Sequence, residues 1–227
     1  MPRQQTGEEE TYEAFRERVF GPAYMVWHEG GPDTERIRAI TDPQERQQTE
    51  KMLMRGVTQE RDADAIRAWE VFDPQKGVQV ILSVFDQGER GGYMAALAQF
   101  LLDHNRQATD QEKAMYREMI IGSITGDRGI YALDTLIAAR HLPIDTDVVD
   151  ALLERVAHAP GYLTRYHAAD SLLELGHIEP KGIAQHAEIF SLIVPRLDIH
   201  QKELKPNQSD WERHQKAADL LRALLPL

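Results

Sequence analysis

His167, Asp170 and Glu174 stand at positions i, i+3 and i+7 of one segment, a spacing that puts an imidazole and two carboxylates on a single helix face. Such a set could hold a divalent cation or carry acid–base chemistry. His, Asp and Glu also recur at this spacing on ordinary solvated faces, and the chain contains no HExxH. No catalytic residue, metal ligand or cofactor is therefore expected. A second pattern extends further along the chain. Asp134, Asp170 and Asp219 follow Arg128, Arg165 and Arg213 by five or six residues. If the segments that carry them stack, the three carboxylates form a row. That row either receives a basic partner or links neighbouring segments through internal hydrogen bonds. The candidate partner-binding positions are Tyr131, Asp134, His167, Asp170, Glu174 and Asp219.

Other side chains repeat as well. His104, His141 and His177 fall at or just past expected helix C-termini, where an imidazole N–H or imidazolium interacts favourably with free carbonyls. Tyr93, Tyr131 and Tyr166 open three expected helices; they either line a groove or fill the core with a wet hydroxyl. Trp69 and Trp211 read as packing residues. Trp27 lies in an irregular stretch from Gly21 to Pro32 and is the indole best placed for a partner. GxSxG, a P-loop and GxGxxG are all missing, and Gly91–Gly92 and Gly122–Ser123 lack the strand those motifs need.

Composition narrows the classes. The chain has 227 residues, 42% hydrophobic and 28% charged, with a formal net charge of −11. That is enough chain to bury a core. An acidic balance opposes phosphate binding and favours a basic protein partner. There are no cysteines, which removes disulfides, thiol catalysis and Cys-zinc sites and fits a reducing cytoplasm. The polar, acidic start is not a signal peptide, and no apolar run reaches the roughly 18 residues a membrane span needs. A cytoplasmic protein without a membrane role is expected.

The elements that would carry these residues are helices. Apolar residues recur at spacings of three and four almost throughout. Thr6 with Glu9, Thr109 with Glu112 and Ser209 with Glu212 have the spacing of capping boxes. Helices are predicted at roughly 8–20, 33–41, 44–56, 60–72, 76–86, 91–104, 110–124, 128–141, 145–158, 163–175, 183–198 and 209–225, with Pro195 kinking or ending the eleventh. Residues 1–32 read as an N-terminal helix with an irregular segment, and 33–227 as one continuous domain.

Four segments are alike. Arg90, Arg128, Arg165 and Arg213 each lead a helix in which small residues precede leucines, at spacings of 38, 37 and 48 residues. Periods of this length mean stacked helix pairs, and the last spacing implies an insertion. Ala95, Ala96, Ala132, Ala168, Ala169, Ala217 and Ala218 would let backbones approach. Leu97, Leu136, Leu172, Leu173, Leu220 and Leu221 would supply buried area.

With Asp42–Pro43 and Asp73–Pro74 at the turns and these arginines at the second helices, residues 33–225 resemble the HEAT-repeat family. The resemblance implies an all-α fold, a right-handed α–α superhelix (solenoid) of about five to six helix pairs. It also implies a non-catalytic interaction surface: a scaffold, adaptor or immunity-type protein that binds a partner on its concave side. Residues 60–72 and the final spacing depart from the family register. A minority of HEAT-like proteins act on DNA, and that role needs clustered Lys and Arg on the concave face. Nucleic-acid binding or repair, and a metal-dependent enzyme built on His167 and Asp170, are the alternative functions.

Overall fold

The computed structural model describes residues 10–29, 31–86, 88–126 and 133–226, with the backbone alone for 27–29. Among the described residues every regular element is a helix and there is no strand, so the all-α class holds. The chain divides into two compact units, Met1–Val84 and Phe85–Leu227.

The first unit contains α1 (Tyr12–Val19), α2 (Ala23–Glu29), α3 (Thr34–Ala39), α4 (Pro43–Arg55), α5 (Ala63–Phe72) and α6 (Pro74–Leu82). The two Asp-Pro pairs start helices. The Asp42 carboxylate accepts from the Gln44 and Glu45 amides and that of Asp73 from the Lys76 amide, with proline in the first turn of each helix, where its missing N–H costs nothing. α5 packs on α3, α4 and α6 and buries Ile66 and Trp69 completely. A single π-helical turn, Gly56–Glu60, ends α4. Gly56 lies directly beneath the Tyr12 hydroxyl and the Ala65 methyl, leaving no room for a β-carbon. The Tyr12 hydroxyl donates to Asp62 at 2.7 Å, and Arg16 bridges Asp62 at 2.8 Å and Asp64 at 2.7 Å. α1 is thereby fastened over the start of α5.

The second unit contains α7 (Gly92–His104), α8 (Asp110–Gly126), α9 (Leu133–Ala139), α10 (Thr146–His158), α11 (Tyr162–Leu175), α12 (Ala187–Ile193) and α13 (Gln208–Leu224). α7 packs on α9 and α9 on α11, while α8 packs on α10. Small residues sit at these contacts: Ala95, Ala96, Ala168 and Ala169 are buried, as are Leu97, Leu136, Leu172 and Leu173. The fourth arginine-led helix departs from the row. α13 packs chiefly on α10 and α12 and meets α11 only at its edge.

The segment before α13 explains this. The predicted helix 183–198 is a 3-10 turn at Ile183–Gln185 followed by α12, which stops at Ile193, two residues before Pro195. Residues 194–207 then form an ordered connection. With α12 so short, α13 covers the exposed flank of α10 and ties to it through Arg222 and Asp150 at 2.5 Å.

Two of the four leading arginines, Arg165 and Arg213, hold such joints together, as does Arg46 after the Asp42–Pro43 turn; Arg90 reaches the Glu89 carbonyl at 2.8 Å and the Met119 sulfur at 3.3 Å. Arg46 donates to the carbonyls of Ile40, which caps α3, and Phe72, at 3.1 and 3.3 Å. Arg165 donates to Ala159, which caps α10, at 2.8 Å, to Pro160 at 3.0 Å and to Ile193 at 3.4 Å. Arg213 donates to Ser191 at 3.2 Å and to Val194, which caps α12, at 3.4 Å. In Arg46, Arg165 and Arg213 alike, a guanidinium satisfies carbonyls that a helix leaves unpaired at its negative end. The fork of five donors is what makes arginine suited to this. Arg128 and its segment Asp127–Ala132 lie outside the described residues.

Candidate functional site

The polar side chains of α9 and α11 are tied to their neighbours. His167 is half-buried on α11 beside Tyr166, ring to ring at 5.3 Å. Burial lowers its pKa and Arg140 adds to that, while the Asp170 carboxylate opposes both. The imidazole is therefore biased towards its neutral form. Asp170 accepts the Ile183 amide at 2.6 Å, which fixes where the chain turns back after α11. Glu174 pairs with Arg140 at 2.8 Å. Arg140 also donates to the Ser171 hydroxyl at 3.0 Å, and that hydroxyl donates to the Leu136 carbonyl at 3.1 Å. This short network fastens the C-terminal end of α9 to α11.

A matching joint connects α7 to α9. His141 Nδ1 lies 3.0 Å from Asp103, and Gln99 donates to the same carboxylate at 2.6 Å. Burial alone would raise the Asp103 pKa, but the hydrogen bonds from His141 and Gln99 outweigh it and hold the carboxyl below its ordinary range. Asp103 and His141 are 38 residues apart, the length of the first arginine spacing. Residues one period apart on stacked helices become lateral neighbours. That arithmetic could have found this pair in the sequence.

The other candidates are scattered. Asp134 is half-buried in the first turn of α9. Asp219 is exposed on α13 and accepts from Gln215 one turn earlier at 3.0 Å. Tyr131 lies outside the described residues. The structure thus brings His167, Asp170 and Glu174 together on α11, with Arg140 beside them. Among the described residues no three His, Asp or Glu side chains come close enough to share a metal ion. Of the indoles, Trp69 is fully buried against Phe72, and Trp211 packs between His158 and His214.

Two features were not anticipated. One is His214 on α13, 1% exposed. Among the described residues neither of its ring nitrogens has a hydrogen-bond partner. The other is an open groove of about 620 Å³ between α8 and α10. Ile121 and Ala151 line it, and Glu118, Asp147, Asp150 and Glu154 stand around them. Arg117 is bound there to Asp145 and Asp147 at 2.5 and 3.3 Å, and Arg222 reaches Asp150 at 2.5 Å.

No family model, curated protein or solved structure matches this chain. Among the described residues no helix is long and apolar enough to cross a membrane.

Proposed function

We propose that this chain is a non-catalytic binding protein of the HEAT type, in which α7, α9 and α11 present an acidic face to a basic protein partner. The observation that carries this reading is the side-by-side order of those three helices, each resting on the next in chain order, with α8 and α10 in a second row. An extended face built from successive helices suits a protein partner better than a small substrate. Arg140, Ser171 and Asp170 join elements of the fold, so the acidic face rests on Asp134 and on Glu174, whose side chain is 56% exposed beside Arg140. The acidic net charge favours a cationic surface on the other side.

The test is capture from the native cell extract with the wild-type chain and with Asp134→Lys/Glu174→Lys, both checked for equal helicity by circular dichroism. The expected result is a basic protein retained by wild type and depleted at least tenfold by the variant. Equal recovery from both would contradict the acidic-face reading.

A further inference from the structure

The connection between α12 and α13 is a built loop with an apolar crown. Ile199 at its tip is 91% exposed, and Leu197 and Leu204 are exposed beside it. The loop is firmly constructed. Leu197 and Glu203 pair in an antiparallel bridge, the Leu204 amide donates to the Arg196 carbonyl at 2.8 Å, and that of Asp198 donates to Lys202 at 2.9 Å. The Asp198 carboxylate accepts the amides of His200 and Lys202, each at 2.8 Å. Both ends are anchored in the body of the unit. Arg196 forks onto the buried Asp210 at 2.7–3.0 Å, and Glu203 takes the Arg165 guanidinium at 3.2 Å and the Tyr162 amide at 2.9 Å. Three exposed apolar side chains on one hydrogen-bonded loop make a patch of the kind that a partner covers.

Charge indicates what covers it. The anions of the loop are already engaged, Asp198 by backbone amides and Glu203 by Arg165. Lys202 and Lys205 are exposed on either side of Leu204. The loop thus offers an apolar point flanked by ammonium groups. The α8–α10 groove offers the complement: Ile121 and Ala151 among four carboxylates. Asp147 there is paired with Arg117 and Asp150 with Arg222. Glu118 and Glu154 are exposed, and the His158 imidazole lies 4.0 Å from Glu154.

We propose that the chain self-associates head to tail, with the loop Arg196–Lys205 of one copy seated in the α8–α10 groove of a second copy. Ile199 meets Ile121 and Ala151, and Lys202 and Lys205 meet Glu118 and Glu154. Loop and groove are different surfaces, so the contact is heterologous and each copy keeps one free end. This interface is independent of the α7–α9–α11 face.

Sedimentation velocity over a concentration series tests it with two variants. Ile199→Asp keeps the groove but spoils the loop; Glu118→Lys/Glu154→Lys keeps the loop but spoils the groove. Wild type should associate with rising concentration, and its association should weaken at least tenfold in high salt, since the ion pairs are exposed. Each variant alone stays monomeric, and an equimolar mixture forms a one-to-one dimer and nothing larger. A wild-type chain that is monomeric at every concentration overturns the proposal. So does a groove variant that still associates, because the loop would then pair with itself or with another surface.

Discussion

Arg165→Ala should lower the urea midpoint sharply, by the equivalent of about 3–5 kcal/mol, because it strips buried carbonyls of their donor and removes a buried side chain. The Arg165 side chain is 1% exposed and binds three carbonyls and one carboxylate. Burial pulls its pKa down, and the facing Glu203 pushes the other way. Truncation to alanine leaves the Ala159 and Ile193 carbonyls without their donor and opens a cavity. Each abandoned buried acceptor costs about 1–3 kcal/mol. Arg165→Met fills the volume without supplying donors, so it should recover part of the loss. If alanine at 165 were nearly neutral, the arginine would not be the joint between α10, α11 and α12.

Acid should destabilise the fold through His214. Burial drives its pKa down, helped by the Arg165 and Arg213 guanidinium groups and by His158; the Asp210 carboxylate opposes, and the result is a pKa of about 4 against the ordinary 6.5. The folded chain holds this imidazole neutral while the unfolded chain protonates it. Stability is therefore complete above pH 6.5 and declines as the pH falls towards 4. The full loss is about 3 kcal/mol, from a difference in pKa at 1.36 kcal/mol per unit. Because the chain holds eight other histidines, the measurement is a comparison. Urea unfolding of wild type and His214→Phe at pH 7.5 and 5.0 should show a larger acid loss in wild type by about 2 kcal/mol. Parallel losses would mean that His214 is already solvated in the folded state.

Asp210 acts in a different range. Its carboxylate is held far below its usual pKa by the Arg196 fork, against the cost of burial, with the Asn207 amide and Arg213 adding to the effect. Its contribution is present above the ordinary carboxylate pKa of 3.8 and fades only below that. It does not confuse the His214 window.

Local rules made much of this fold legible. The helical period, the Asp-Pro starts at α4 and α6 and the Thr109–Glu112 capping box, with its two bonds at 3.2 and 2.7 Å, all depend on residues within one turn. The arginine pattern was legible as a pattern, but what Arg165 and Arg213 do, which is to hold carbonyls at the end of another helix, required the packing. Long-range demands account for the misreadings. Ser209–Glu212 has the spacing of a capping box, yet the box forms two residues earlier at Asn207 and Asp210. Asp210 is also needed by Arg196 and Arg213, and those partners decide the register. The length of the predicted helix 183–198 failed because apolar periodicity continues through a segment that breaks at His186, between the 3-10 turn and α12, and again before Pro195. The proposed Thr6–Glu9 box lies outside the described residues.

The candidate site was legible in part. The helical spacing correctly put His167, Asp170 and Glu174 on one stretch of α11, but it could not say which carboxylates the fold consumes. Asp170 is engaged by the Ile183 amide thirteen residues on, and Glu174 by Arg140 from the preceding helix of its row. Nothing local marks His214 as buried, because its position opposite α10 follows from the shortness of α12.

The central claim is that α7, α9 and α11 lie side by side in chain order, and paired spin labels test it directly. The absence of native cysteines allows labels at Asp103→Cys, His141→Cys and Glu174→Cys, taken two at a time. Helices in contact lie about 8–10 Å apart. The 103/141 and 141/174 pairs should therefore show strong short-range dipolar broadening, and the 103/174 pair a separation about twice as large. A 103/174 pair as close as the other two would mean that the three helices close into a bundle, and the extended binding face would not exist.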